Sequence, residues 1–256
     1  MNSLISVEIY KFRKAGTYKF SLILSMLPIL FFIYLLQGKL ILIETGYSMN
    51  QWCAILLFQL SEQFLIPAIL LSMIYDIVLK EKDIGYKNML IVREKELKIL
   101  IAKLIPSIIY SVITILITIG IISLGYTLFS SYTSYFTGKI VNNEANIEYV
   151  VFQLNILFII TYGIFLPLIT IILSSYLSTG SVLTLVIIGL LAGRLFSQIE
   201  IFNRYTIWFY FKQAKYIISI DDFGLIWKPY ISMIAVFGAT LALSLIKKTN
   251  RLKLGG

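Results

Sequence analysis

Histidine is absent from all 256 residues, and cysteine occurs once, at Cys53. Without histidine the chain lacks the commonest metal ligand and the side chain best suited to proton transfer near neutral pH, which excludes a histidine-dependent intramembrane metalloprotease. A single cysteine excludes a disulfide within one copy and any cysteine-rich metal site. Charge is scarce as well: Asp, Glu, Lys and Arg make up 14% of the chain against 59% hydrophobic residues, and the mean hydropathy is +0.88. That balance lies outside the range of soluble globular domains and reads as an integral membrane protein. No G-x-x-x-x-G-K-[ST] phosphate loop occurs, so the chain does not bind and hydrolyse ATP by that route.

What is present is a series of apolar runs long enough to cross a bilayer, whose core needs about 20 residues of helix. The runs predict an all-α, polytopic protein with six transmembrane helices, at about 20–36, 53–79, 104–129, 149–173, 182–199 and 229–246, in one transmembrane domain covering 1–256. The second run is longer than a span needs, so it tilts or its outer part is shielded from lipid. Trp52, at its outer end, is read as an interfacial anchor. Pro28, Pro106 and Pro167 fall inside the first, third and fourth runs, where a missing N–H kinks or loosens a helix.

The net charge of +9 is distributed unevenly, because fifteen of the 22 Lys and Arg residues lie in the basic start, in the segment 80–103 and in the tail after Ile246. The positive-inside rule places these, and therefore both termini, in the cytoplasm. Anionic lipid head groups explain that distribution better than nucleic acid does. Residues 1–18 do not read as part of a cleavable signal peptide, because no small-residue cleavage site follows the first apolar run and that run is long enough to span. Ile5, Ile9 and Phe12 recur at helical spacing with Glu8, Lys11 and Lys14 on another face, the pattern of an amphipathic helix at the membrane surface.

The segment 80–103, KEKDIGYKNMLIVREKELKILIAK, is the most densely charged part of the chain. Glu94 and Lys98 stand four apart in the helix-supporting order, so the third span starts outside the bilayer, near Arg93. Ile84, Tyr86, Met89 and Leu90 give the preceding part apolar groups that Gly85 lets the chain bend around. Such a segment either docks a partner or only anchors two spans among head groups.

The order of an acid, Gly85, the aromatic Tyr86, Lys87, Asn88, Met89-Leu90, a basic cluster and Ala102-Lys103 entering the next span resembles the membrane subunits of type-2 ABC transporters. Lantibiotic-immunity and related peptide-export permeases are the nearest in kind. The resemblance implies that Glu81, Asp83, Ile84, Gly85, Tyr86, Lys87, Asn88 and Leu90 form or flank a coupling helix that contacts cytoplasmic ABC ATPase subunits. It also implies a second permease subunit, identical or related, and ATP and magnesium bound by the ATPase, with no cofactor and no catalytic or metal site on this chain. The implied role is export of a lantibiotic or other amphipathic antimicrobial peptide from a bacterial plasma membrane. Multidrug export is the alternative within that class, and a non-ABC membrane enzyme or assembly factor the alternative outside it. Against an enzyme, no paired carboxylates or catalytic dyad share one membrane depth.

Two further stretches are candidate sites. Gln59, Ser61, Glu62 and Gln63 form a polar cluster inside the second run. An ionised side chain at mid-bilayer costs roughly 2.5 to 3.5 kcal/mol, so Glu62 must be shallow, neutral, paired or turned to protein or water. Counting back from Lys80 puts it near the outer interface; the competing reading gives Gln59, Glu62 and Gln63 a place in a transport pathway or subunit interface. The segment 200–228 interleaves aromatics, among them Trp208 and Phe209, with Arg204, Lys212, Asp221 and Asp222. It suits the outer head-group layer, as an aromatic belt or as an outer gate containing Trp208 and Phe209.

Overall fold

The computed structural model describes residues 2–14, 16–26, 28, 48–80, 96–129, 145–203, 231 and 235. Among these residues every regular element is helical. Three helical segments are long and apolar enough to cross a bilayer, Lys98–Leu128, Val151–Ser174 and Thr179–Phe196, and a bent pair, Met49–Glu62 with Leu65–Ile74, makes a fourth if counted as one span.

The chain begins with α1 (Asn2–Lys14) and α2 (Gly16–Leu24). Helix α3 (Met49–Glu62) starts at Ser48, whose hydroxyl accepts from the Gln51 N–H while the Gln51 side chain accepts from the Ser48 N–H. This reciprocal cap satisfies two amide groups that a helix start leaves without partners. Helix α4 (Leu65–Ile74) follows at an angle of 66°. The cause is local. Pro67 has no N–H to offer the Gln63 carbonyl, and its ring would collide with that carbonyl in a continuous helix. Phe64 instead takes a left-handed conformation at φ 60° and its N–H turns back to the Ser61 carbonyl at 3.0 Å. The long second run is thus accommodated by a break rather than by tilt alone.

Helix α5 (Glu96–Phe129) has 34 residues, about 51 Å at 1.5 Å per residue, so it outruns a hydrocarbon core of about 30 Å. Its buried face carries Ser107, Ser111, Thr114 and Thr118, three of which return their hydroxyls to the carbonyl one turn back, at 2.8 to 2.9 Å. Self-satisfied small side chains let a neighbouring backbone approach. That neighbour is the fourth run, made of α6 (Ala145–Phe158), a π-helical turn (Ile159–Phe165) and α7 (Leu166–Ser174). The widened turn comes just before Pro167, which would otherwise leave the Gly163 carbonyl without a donor. Gly163 is required by the close approach: a Cβ there would lie 2.9 Å from Val112 Cγ2.

Ser178 then caps α8 (Thr179–Phe196), and the short α9 (Glu200–Asn203) follows. The core is a layer of Leu57, Leu70, Met73, Ile115, Phe158 and Tyr162 between α3, α4, α5 and the fourth run. Trp52 belongs to it and is fully buried. It is therefore a packing residue rather than an interfacial anchor, because α3 sits between α5 and α6 instead of at the lipid boundary. The first run beyond residue 28, the segment 81–95 and the chain after 203, apart from 231 and 235, lie outside the described residues.

Candidate functional site

The break between α3 and α4 assembles the polar cluster into one site. Ending α3 at Glu62 leaves its backbone carbonyl without the amide partner that the next helical turn would supply. Arg194, in the last turn of α8, donates Nη1 to that carbonyl at 3.2 Å and Nη2 to the Glu62 carboxylate Oε1 at 3.2 Å. One planar guanidinium thus answers both the backbone and the side chain of the same residue, a geometry that lysine does not reproduce. The helix dipoles favour it as well, since the C-terminal ends of α3 and α8 both present partial negative charge to the same cation.

Neither side chain is sunk into the apolar core, for Glu62 and Arg194 are each 39% exposed. Gln59 is half-buried and Gln63 is exposed beside them. Inward from the ion pair, Ser61 is fully buried. Its hydroxyl donates to the Phe58 carbonyl at 2.8 Å, and the buried Tyr162 lies close by. The site therefore has a polar, exposed side at Gln63 and the ion pair and a buried side at Ser61 and Tyr162.

A second cluster ties the start of the chain to α5. Phe12, fully buried, stacks on Tyr110 with ring centroids 4.8 Å apart, and Tyr18 meets the same ring edge-on at 4.6 Å. The Tyr110 hydroxyl reaches the Ile9 carbonyl at 3.4 Å. Glu8 is buried one turn before Phe12, where Lys11 pairs with it at 2.9 Å, while Val7 and Tyr10 are the exposed apolar residues. Helix α1 is thus fastened to α5 at Tyr110, and its buried face includes the acid that spacing alone assigns to the polar side. On the opposite flank, Asp76 pairs with Lys80 at 3.6 Å across the π-helical turn Tyr75–Leu79.

Protein-family models, curated proteins and solved structures were compared with the chain, and none matches. Among the described residues no group of three or more Cys, Asp or Glu side chains converges as metal ligands would.

Of the residues singled out by sequence, Gln59, Glu62 and Gln63 lie at the C-terminal end of α3, beside the break, and Glu62 pairs with Arg194. Glu81, Asp83, Ile84, Gly85, Tyr86, Lys87, Asn88 and Leu90, with the rest of the coupling segment up to Lys95, lie outside the described residues, as do Trp208 and Phe209. Arg194, inside the predicted fifth span 182–199, is not among the candidates from sequence and emerges as the partner of Glu62. A signal for it exists: Arg194 is the one basic residue within the six predicted spans, and Asp76, the other acid in the second, has Lys80 four residues away. Elimination alone leaves Glu62 and Arg194 for each other.

Proposed function

We propose that the chain is the membrane permease subunit of an ATP-driven type-2 ABC exporter, with six spans, both termini in the cytoplasm and the segment 80–95 as the contact for a separate ATPase. The observation that carries the reading is the joint at Tyr110, fourteen residues past the start of α5. A segment that receives force from a partner is useful only if it is fixed to something rigid. The residues after the charged segment enter a 34-residue helix, and Phe12, Tyr18 and Tyr110 fasten α1 and α2 to that helix. Movement of 80–95 is then passed to α5, α1 and α2 as one body. Hydrolysis belongs to the partner, because the chain has no phosphate loop, and a second permease subunit completes the two-fold frame.

The substrate class is an amphipathic peptide, expelled outward across a bacterial plasma membrane. Support for it is the family resemblance of the segment 80–103, together with a polar site at the α3–α4 break inside an otherwise apolar bundle. Inverted membrane vesicles holding the chain and its co-expressed ATPase should accumulate a fluorescent cationic amphipathic peptide when ATP is supplied. Equal accumulation in vesicles lacking the chain contradicts the proposal.

A further inference from the structure

The depth of the Glu62–Arg194 pair follows from contacts between neighbouring helices. Cys53 Sγ lies 3.5 Å from Ser123 Oγ, which levels the early part of α3 with the late part of α5. Ser61 is eight residues further along α3, about 12 Å. Eight residues back along the antiparallel α5 is Ile115, and the fourth run agrees: Tyr162 lies close to Ser61, and the next residue, Gly163, packs against Val112 and Ile115. Ile115 stands twelve residues from Lys103 and fourteen from Phe129, near the middle of the apolar length of α5. Arg194, in the last turn of α8, reaches the same level from the outer end of that span, so Glu62 sits inside the apolar thickness, between its middle and its outer end. Counting back from Lys80 along one straight helix gave a shallower place, and the 66° bend removes the basis of that count.

A broken helix carrying half-exposed charges at that depth does not face hydrocarbon. Lipid offers no hydrogen bonds to the freed backbone groups, and irregular backbone inside a membrane occurs only where protein buries it or water fills a cavity beside it. Among the described residues of this chain nothing buries the site: Glu62 and Arg194 are each 39% exposed and Gln63 is exposed. We infer that the α3–α4 break opens onto a water-filled recess within the membrane, lined by Gln59, Glu62, Gln63 and Arg194, which accepts the polar part of an amphipathic molecule. The recess itself rests only on the membrane-spanning helices and their relative depth. Its use by a substrate rests on the exporter reading.

Thiol chemistry tests the recess directly. In a Cys53→Ala background, Gln63→Cys and Leu195→Cys are compared on open membrane fragments with a charged methanethiosulfonate. The cysteine thiolate forms a disulfide with the reagent and methanesulfinate leaves, so reaction needs an ionised thiol in water. Leu195 neighbours Arg194 in sequence, lies at nearly the same depth and is 61% exposed, hence turned to lipid if that level is inside the apolar thickness. Gln63→Cys should react at least about tenfold faster than Leu195→Cys, because a thiol in hydrocarbon stays protonated. Gln63→Cys as slow as Leu195→Cys overturns the recess. Both reacting fast also overturns it, since the whole level then lies at the bilayer surface. Neither result depends on an ATPase, so failure here is distinct from failure of the exporter reading.

Discussion

Arg194 binds Glu62 twice, at the carboxylate and at the backbone carbonyl, each at 3.2 Å. The two contacts are separable by mutation. Arg194→Ala removes both and should destabilise the purified protein by about 1 to 3 kcal/mol, a range kept low because both groups are partly exposed. Glu62→Gln keeps the carbonyl contact and an amide oxygen for the second, so its loss should be smaller. Arg194→Lys should fall between, because one ammonium does not span both acceptors. Thermal unfolding in detergent ranks the three; Glu62→Gln as damaging as Arg194→Ala would show that the carbonyl contact contributes nothing.

Two glycines should respond in opposite ways to the same added methyl. At Gly163 a Cβ meets Val112 Cγ2 at 2.9 Å and Val112 Cα at 3.4 Å, whereas at Gly189 nothing lies within 4 Å. Gly163→Ala should cost about 1 to 3 kcal/mol by overpacking. Gly189→Ala should be neutral or stabilise by up to about 1 kcal/mol through helix propensity. Adding Val112→Ala should restore part of the Gly163→Ala loss, since the methyl group at fault is gone while the backbone contact remains. Unfolding midpoints of the four proteins check the ordering.

The aromatic joint predicts the behaviour of α1. Tyr110→Ala removes the ring that Phe12 and Tyr18 share and should cost about 3 to 5 kcal/mol if the cavity does not close. Tyr110→Phe keeps both ring contacts and loses only a long 3.4 Å bond to the Ile9 carbonyl, worth at most about 1 kcal/mol. Hydrogen exchange read over residues 2–14 should accelerate strongly in Tyr110→Ala and little in Tyr110→Phe. Unchanged protection in Tyr110→Ala would mean that α1 is held by something other than this joint.

The apolar run lengths were enough to find the helices now seen over Lys98–Leu128, Val151–Ser174 and Thr179–Phe196, because each is a single segment of nearly continuous hydrocarbon. The break at Phe64 was harder to read. A proline in the first turn of a helix and a proline in the middle of one look alike in sequence, and Pro67 marks a break here together with the left-handed turn at Phe64. The burial of Glu8 was hidden for a similar reason: its neighbour Lys11 supplies the charge that lets an acid sit one turn from Phe12 against Tyr110. The pairing of Glu62 with Arg194 is the reverse case. It joins residues 132 apart, and charge bookkeeping over the predicted spans is enough to reach it.

The exporter proposal stands on a partner that binds the segment 80–95, and copurification measures that binding most directly. The chain, tagged and extracted in mild detergent from membranes of its host, should bring down an ATPase. Leu90→Asp and Tyr86→Ala each remove an apolar side chain whose burial is worth about 1.5 to 3 kcal/mol, so affinity for the ATPase should fall roughly ten- to a hundred-fold while insertion and the unfolding midpoint stay unchanged. If no ATPase accompanies the chain, or if both variants retain it in full, the segment is an interfacial anchor and the protein is not the permease half of an ATP-driven exporter.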